Sequence, residues 1–500
     1  MKKILISINP WQTRIAIMRE DRLQNVYFSS HNKEDLERCF FKGVVTKVLP
    51  GIQTAFVNIG QQRAGFLHIS EIDRDMTLQR LGEKVEFDDD VAPAREYFQP
   101  RDISKILKEG QPILVQVSKE PVYEKGAKLT TCFTLPGRFI VLMPNIPRIA
   151  ISKKIDDRDE RSRLKDIVRR NLPEGMGCII RTTSLARLEK ELMQDIEFLV
   201  STWRMIQKKY DEAQPEEKIY HDIPLAQQMV RDHLDNDVDA IIIDDQKVQS
   251  ETYKFVKTIA PEFCYKIKYY ADSQDLFERY GAEKQLKAAL SRKVDLPSGG
   301  SLIIETTQAM TVVDVNTGRY TGKDDLEETI LQTNMEAAEE ICCQLRLRNI
   351  GGLIVIDFID MSSLSNRQRL FKHFEKILRE RDKFQSVVLK ISEFGLVQMT
   401  RKRVGKTLLQ ELTHACSACC GRGYTLTIQT IVYSILPHIK QELTAIARPT
   451  LIIALHPAIF DWIAHKEYNA ILALETRFSV QITLVEDSTL PQEEYRVEKS

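Results

Sequence analysis

Two apolar runs that end in carboxylates constrain this chain more than any other feature. The first occupies residues 311–318, TVVDVNTG, and the second occupies residues 351–360, GGLIVIDFID. An unpaired carboxylate is strongly disfavoured in a core, so Asp314 and Asp357 are predicted at strand ends, on the rim of a sheet. Two carboxylates on neighbouring strands can hold a divalent cation through oxygen ligands. Side chains alternate along a strand, so Asn316 shares the face of Asp314, where its amide can orient the carboxylate or add a ligand.

An ordinary structural role is the main alternative for these two aspartates. A single aspartate after an apolar strand is more often a helix cap or a turn residue than a metal ligand. Spacing alone therefore leaves both roles open for Asp314 and for Asp357.

The length and charge of the chain limit its architecture and its partners. Its 500 residues are too many for one core and indicate about three or four domains. Hydrophobic residues make up 43% and charged residues 28%, as in an ordinary globular protein. Lys and Arg total 71, and so do Asp and Glu, so no net charge attracts nucleic acid or membrane to the whole chain. Any phosphate-binding surface must be a local concentration of positive charge.

The cysteines and the N-terminal sequence indicate the cellular compartment of the protein. Nine cysteines are scattered along the chain, whereas a disulfide framework would be denser and even in number. The apolar part of the N-terminus, MKKILISINP, is too short for a signal sequence. No stretch approaches the ~20 apolar residues of a membrane span. We therefore expect a cytoplasmic protein with no membrane contact.

Patterning along the chain predicts several α/β regions. Two or three strands are expected within residues 4–29, and a clear strand within residues 238–243. Long helices are expected over residues 185–210 and 325–347. In the second helix, Asn334 recurs at helical spacing among apolar residues.

Short strands separated by Gly and Pro turns predict a small β barrel within residues 39–119. Alternation places Phe56 and Phe66 on its polar face, opposite the apolar residues that form the core. Exposed aromatic rings with Lys47 and Lys119 close by suit stacking on the bases of single-stranded nucleic acid. The alternative, that both rings pack under a charged surface loop containing the run DDD at 88–90, stays open.

Two further segments carry cations suited to phosphate. Arg181 and Thr182 follow an apolar strand, and they combine a planar guanidinium fork with a hydroxyl. Both can reach one phosphate only if the strand ends there, and a solvated strand end is the ordinary alternative. The run RKR at 401–403 is the second segment, which can hold a phosphate backbone or simply form a solvated face.

A cysteine cluster at 416–423, CSACCGRG, indicates zinc. A C-x-x-C knuckle followed by glycines lets the backbone wrap around the sulfurs. A structural zinc needs four ligands, and the chain has no second C-x-x-C. Sequence neighbours such as His414 and Cys420 seldom complete a tetrahedron, so Cys416 and Cys419 are predicted to share one zinc with the same pair of a second chain. A thioredoxin-type redox motif is the alternative, but its strand-to-helix context is missing.

Together these segments resemble the ribonuclease E/G family over almost the whole chain. Other matching segments are Gly51–Gly60, Ala64–Leu67, Lys125–Thr131, Leu142–Pro144, Pro297–Gly300, Gln344–Arg348 and Met399–Arg403. Two positions depart from the family pattern. Ser417 stands where the family usually has Pro, and Glu393 stands where one branch has Arg, which weakens any phosphate contact at 393.

The resemblance implies a multidomain α/β fold. An RNase H-like domain is split around an OB-fold barrel and a 5′ sensor, and a DNase I-like catalytic domain, a zinc link and a small C-terminal α/β dimerisation domain follow. The implied bounds are 1–38 and 226–290 for the RNase H-like parts, 39–127 for the OB-fold RNA-binding domain, 128–225 for the 5′ sensor, 291–412 for the catalytic domain, 413–425 for the zinc link and 426–500 for the C-terminal domain.

The resemblance also implies roles for single residues. Asp314 and Asp357 would hold Mg²⁺ with the support of Asn316, Arg181 and Thr182 would read a 5′-monophosphate, Phe56, Phe66 and Lys119 would grip RNA, and Cys416 and Cys419 would share Zn²⁺ in a homodimer or a tetramer. The implied activity is Mg²⁺-dependent cleavage of single-stranded RNA, leaving 5′-phosphate and 3′-hydroxyl, in rRNA maturation and mRNA decay. Because the sequence ends at residue 500, we expect no degradosome scaffold. A non-catalytic RNA-binding or ribosome-assembly factor is the competing interpretation.

Overall fold

The structure is a computed structural model that describes residues 1–32, 35–72, 85–87, 102–121, 126–153, 155–318, 326–382, 384–392, 395–445 and 450–498. The chain divides into two compact units, Met1–Val404 and Gly405–Ser500.

Strands dominate the first unit. Its strands are β1 (Lys2–Ile8), β2 (Gln12–Arg19), β3 (Arg22–Ser30), β4 (Phe40–Leu49), β5 (Thr54–Asn58), β6 (Gly65–His68), β7 (Val85–Phe87), β8 (Pro112–Lys119), β9 (Lys128–Thr130), β10 (Leu135–Pro136), β11 (Ile140–Met143), β12 (Ile149–Ser152), β13 (Gly177–Ile180), β14 (Lys218–Tyr220), β15 (Val238–Ile243), β16 (Ile267–Tyr269), β17 (Lys293–Asp295), β18 (Ser301–Thr306), β19 (Met310–Asn316), β20 (Gly352–Asp357), β21 (Ser386–Val388) and β22 (Leu396–Arg401). Its helices are α1 (Ile103–Ile106), α2 (Arg158–Asn171), α3 (Glu189–Glu212), α4 (Leu225–His233), α5 (Gln246–Ile259), α6 (Leu276–Arg279), α7 (Ala282–Ala288), α8 (Leu326–Leu347) and α9 (Leu364–Arg381).

The first sheet joins two distant parts of the chain. Its strand order is β16-β15-β1-β2-β3, and β1 and β15 pair in parallel. Apolar side chains of β1 and β15 pack with those of α4 and α5 in one core. The strands predicted within residues 4–29 and 238–243 therefore lie in one sheet. The RNase H-like assignment of this sheet stays a prediction.

A closed barrel follows in the chain. Strands β4, β5, β6, β9 and β8 pair in that order, and a β4–β8 pairing closes the ring. Its core is apolar and includes Val57, Leu67, Val115 and Leu129. Strand β9 lies beyond the boundary predicted at 127 and completes the barrel. Strand β7 lies in the predicted charged insert and pairs with β12, whereas residues 88–90 lie outside the described residues.

The third sheet leads to the Arg181–Thr182 segment. Its order is β10-β11-β13-β12-β7, and the apolar sides of α2 and α3 pack in its core. The helix predicted from residue 185 begins at Glu189, because a turn with a left-handed φ of 55° at Ala186 follows the short 3₁₀ turn Thr182–Ser184.

The fourth sheet carries the two apolar runs that end in carboxylates. Its order is β17-β18-β19-β20-β22-β21, and β19 and β20 pair in parallel. One face packs on α8 and α9 through a large apolar core. The helix predicted over residues 325–347 is confirmed by α8.

The second unit is a small α/β domain that includes the cysteine cluster. Its helices are α10 (Leu408–Leu412), α11 (Ile428–Ala445), α12 (Pro457–Trp462) and α13 (Tyr468–Phe478), and its strands are β23 (Thr450–Leu455), β24 (Gln481–Glu486) and β25 (Tyr495–Glu498). The sheet order is β24-β23-β25, and apolar residues of α11, α12 and α13 pack with it. Of the helices that the described residues form, none has both the length and the apolar composition to cross a lipid bilayer.

Candidate active site

The two carboxylates lie side by side. Asp314 on β19 is the direct register partner of Asp357 on β20, and both are exposed. Neighbouring strands lie about 4.8 Å apart, so paired side chains on one face are in immediate contact range. Both carboxylates point away from α8 and α9, because the alternate residues Val313 and Ile356 fill the core on the other side. The predicted placement at the rim of a sheet is confirmed.

A hydrogen bond to Asp314 and the charges around Asp357 indicate that these two side chains act together. Asn316 Nδ2 donates to Asp314 Oδ2 at 2.7 Å, which fixes the orientation of that carboxylate. Partial burial raises the pKa of Asp357, and the neighbouring charges of Asp314 and Asp360 raise it further. Two neighbouring carboxylates therefore oppose the charge of Asp357, and a bound cation would relieve that repulsion.

The donor set fits Mg²⁺. Mg²⁺ is usually held by one or two carboxylates, with waters and substrate phosphates filling the other positions. Within the described parts of the chain, no group of three or more His, Cys, Asp or Glu side chains is arranged to hold a metal ion. The pair Asp314–Asp357 would thus leave most coordination positions to water and phosphate.

A buried amide supports the loop after Asp357 and was missed as a functional residue. Asn334 on α8 is fully buried. Its Nδ2 donates to the Ile359 carbonyl at 2.9 Å, and its Oδ1 accepts from the Ile359 N–H at 3.1 Å. The available signal was an amide at a helix position whose periodic neighbours are apolar.

The barrel brings the two predicted aromatic residues together. Phe56 and Phe66 are direct cross-strand partners, and Lys47 is the partner of Phe56. Both rings are half-buried, whereas Lys47 and Lys119 are exposed. The alternative that the rings pack under residues 88–90 falls outside the described residues.

The side chains of Arg181 and Thr182, which follow the end of β13, lie in different surroundings. Arg181 Nη1 donates to the Gly137 carbonyl at 2.6 Å and to Asp232 Oδ1 at 2.8 Å. Burial alone would raise the pKa of Asp232, but the charges of Arg231 and Arg181 hold it at about 2. Thr182 instead lines a cavity of about 510 Å³.

That cavity is rich in cations. Its basic lining residues are Lys2, Arg19, Lys153, Arg346, Arg379 and Arg381, and its acidic ones are Asp237, Glu380 and Asp382. Arg346 donates to the side-chain oxygens of Gln24 at 3.1 Å and Asn25 at 2.8 Å, which carry no charge. The cavity therefore has an excess of positive charge.

The basic run 401–403 does not act as one phosphate-binding face. Arg401 is buried and donates through Nε to Asp382 Oδ2 at 2.6 Å and through Nη2 to Oδ1 at 3.1 Å. Alternation on β22 turns Arg401 inward, so the interpretation as a phosphate contact is wrong for this residue. Only Lys402 and Arg403 are exposed.

The cysteine cluster forms a tight turn. The Gly423 N–H donates to Cys419 Sγ at 3.4 Å, and this contact is the largest of those that lower the pKa of Cys419. Cys420 has a left-handed φ of 48° and donates to the Ser417 carbonyl at 3.6 Å. The cluster lies in consecutive turns, without the strand-to-helix junction of a redox motif. All nine cysteines fall within the described residues, and none forms a disulfide.

Comparison with known protein families matches three successive parts of the chain. The model of the S1 RNA binding domain matches residues 40–131, which form the barrel. The model of the Ribonuclease E/G family matches residues 134–404, and that of the RNase E/G thioredoxin-like domain matches residues 415–500.

Several similar proteins align with almost the whole of this chain. Ribonuclease G of Escherichia coli K12 is 35% identical over 495 residues, 99% of each chain. Ribonuclease G of Haemophilus influenzae is 37% identical over 470 residues, 94% of this chain and 93% of that protein. Ribonuclease E of Escherichia coli K12 is 34% identical over 509 residues, 99% of this chain but 46% of that protein.

An RNA-binding barrel followed by a catalytic α/β domain defines an endoribonuclease, a hydrolase that acts on RNA. The chain belongs to the ribonuclease E/G family. The OB-fold barrel expected from the resemblance is thereby confirmed.

Proposed function

We propose that this endoribonuclease cuts single-stranded RNA with the help of Mg²⁺ held by Asp314 and Asp357. The direct pairing of these two carboxylates on neighbouring parallel strands carries the proposal. When bound, Mg²⁺ would lower the pKa of a water molecule and stabilise the charge that grows on the scissile phosphate. Cleavage would leave a 5′-phosphate and a 3′-hydroxyl.

Each of the side chains described above has a separate role in this proposal. Asn316 holds the Asp314 carboxylate in one orientation, so little reorganisation is needed when the substrate arrives. Asn334 holds the loop that follows Asp357. Phe56 and Phe66 present two neighbouring rings on which bases of an unpaired strand can stack, with Lys119 for the backbone.

We further propose that the 5′ end of the RNA is sensed at Arg181 and Thr182. Thr182 lines a cavity with excess positive charge, and neutral amides hold the Arg346 guanidinium there. Arg181 is not among the residues that line this cavity. Its Nη1 is held by the Gly137 carbonyl and by Asp232, so its other N–H groups would bind the phosphate. A monophosphate carries the negative charge that such a cavity attracts, whereas a hydroxyl end does not.

The assembly and setting of the enzyme form a separate part of the proposal. Cys416 and Cys419 would supply two of four Zn²⁺ ligands, and a second chain would supply the other two, giving a homodimer or a tetramer. The nine cysteines, all within the described residues, form no disulfide, which favours a cytoplasmic location. RNA cutting at unpaired stretches would serve rRNA maturation and mRNA decay.

A cleavage assay tests the proposed activity. Two short single-stranded RNAs of one sequence, with a 5′-monophosphate or a 5′-hydroxyl, are incubated with the enzyme in Mg²⁺ or in EDTA. We expect cutting only in Mg²⁺, faster cutting of the monophosphate, and products with 5′-phosphate ends. Undiminished cutting in EDTA would contradict the metal proposal, and equal rates on both RNAs would contradict the 5′ sensor. RNA binding without any cutting would favour a non-catalytic RNA-binding factor.

A further inference from the structure

One row of side chains crosses the outside of the barrel. Lys47 on β4 pairs with Phe56 on β5, Phe56 with Phe66 on β6, and Phe66 with Lys128 on β9. Lys128 in turn pairs with Lys119 on β8. Directly paired residues of adjacent strands share one face, so these five side chains form a single row, called here the barrel row.

Lys128 is the member of the barrel row that the sequence did not single out. It stands between Phe66 and Lys119, and neighbouring strands are about 4.8 Å apart. Its backbone neighbour Leu129 points inward and is fully buried, so alternation directs Lys128 outward. Lys128 therefore stands between an aromatic residue on one neighbouring strand and a second lysine on the other.

Glu71 fixes the position of this ammonium. Lys128 Nζ and Glu71 Oε1 are 2.6 Å apart, and the Glu71 side chain is 2% exposed. The Lys128 side chain keeps 25% exposure, so the ion pair does not remove it from the surface. An ammonium has three N–H donors, and a single carboxylate oxygen uses one of them. The others can serve a ligand on the outer face.

The neighbouring cation adds a reason to expect an anionic ligand. Like charges directly opposite each other destabilise a sheet, and Lys128 is directly opposite Lys119. A phosphate lying across both strands would turn this repulsion into attraction. The adjacent ring of Phe66 suits the base of the same nucleotide.

We propose that Lys128 is an RNA-binding residue, and that its ammonium contacts the phosphate of the nucleotide whose base stacks on Phe66. The inference rests on the proposed path of RNA across Phe56 and Phe66. Glu71 is its positioning residue, because the ion pair holds the Lys128 ammonium in one place instead of leaving a flexible side chain to find the phosphate.

A salt titration of RNA binding tests the proposal. Fluorescence anisotropy of a labelled single-stranded RNA is measured in EDTA at several salt concentrations, with a gel to verify that the RNA stays intact. Lys128→Gln should weaken binding by about 3- to 10-fold and reduce the slope of log K against log salt by about 0.7, the value for one lost phosphate contact on a single strand. Lys208→Gln, which removes an exposed lysine of α3, should leave the slope unchanged.

A double variant tests whether Lys128 acts in RNA binding or only supports the fold. Glu71→Gln with Lys128→Gln removes both charges, so no unpaired buried carboxylate remains. If the proposal holds, this variant is folded and binds RNA as weakly as Lys128→Gln. Binding at the wild-type level by either variant would overturn it. If wild-type protein binds no RNA at all, the proposed RNA path fails together with the inference.

Discussion

Asn316 shows how one amide can matter at a pair of carboxylates. It touches Asp314 and would act through that ligand on the metal. Partners of this kind typically contribute 10- to 100-fold to metal affinity or activity. Asn316→Ala should therefore raise the Mg²⁺ concentration needed for half-maximal cleavage by about 10- to 100-fold. Gln308→Ala, in the exposed turn before β19, is the matched control, and an unchanged Mg²⁺ dependence for Asn316→Ala would contradict the assigned role.

The ion pairs of Asp232 predict that the free energy of unfolding depends on pH. Its pKa falls from 3.8 to about 2 in the folded protein, so its charge stabilises the fold above pH ~4, and this contribution is lost as the pH falls toward 2. The shift corresponds to about 2 kcal/mol. Asp232→Asn should lower the free energy of unfolding by that amount at pH 7 and by about half as much at pH 3, as measured by urea unfolding. A pH-independent difference would show that the ion pairs with Arg181 and Arg231 are not its origin.

The placement of some residues could be predicted from the sequence, and the placement of others could not. Asp314, Asp357 and Asn316 follow from alternation and from the cost of burying charge, and both rules act within a few residues. The buried pair Arg401–Asp382 joins residues that are brought together only by the fold, so the basic run 401–403 gave no sign of it.

Elements with a clear apolar pattern, such as the six-residue strand β15, were predicted closely, and elements too short to carry a pattern were not. Helix α8 differs by one residue from its prediction, because 22 residues repeat the same apolar spacing. Strand β9, with 3 residues, carries too little pattern to be recognised, and it belongs to the barrel only because it pairs with β6 and β8.

Helix α8 and the loop after β20 are coupled through one side chain. Removing the Asn334 amide leaves both the N–H and the carbonyl of Ile359 without this partner in a buried setting, which costs about 1–3 kcal/mol. Asn334→Ala should show that loss in urea unfolding and should also cleave RNA more slowly per folded molecule, because the loop carrying Asp360 shifts. The neighbouring Gln332→Ala lies on the exposed side and should change neither. Full activity in folded Asn334→Ala would show that the loop keeps its position without the amide.

At the scale of the whole molecule, the zinc proposal predicts the oligomeric state. Cys416→Ser combined with Cys419→Ser, or chelation of zinc, should convert the dimer to monomers in sedimentation velocity. Cys420→Ser is the matched control, since this thiol points back to the Ser417 carbonyl and is expected to leave the mass unchanged. A dimer that survives loss of both cysteines would remove the shared-zinc proposal.

The organisation of the molecule explains how its parts can divide the work. The barrel, the cation-rich cavity and the carboxylate edge all belong to one compact unit, so binding, sensing and cutting can be tested by separate substitutions within it. Sequence alone could not reveal the cavity, because its lining comes from residues 2–24, 153–185, 233–237 and 346–382.

Single-turnover cleavage by Asp357→Asn is the most direct test of the central claim. Wild-type and variant are compared on a 5′-monophosphorylated single-stranded RNA in Mg²⁺, and RNA affinity is measured in parallel. Loss of several kcal/mol of metal-based stabilisation predicts a rate lower by about 10³-fold or more, with RNA affinity within about twofold of wild type. A variant that cuts at the wild-type rate would contradict the assignment of Asp314 and Asp357 as the nuclease centre.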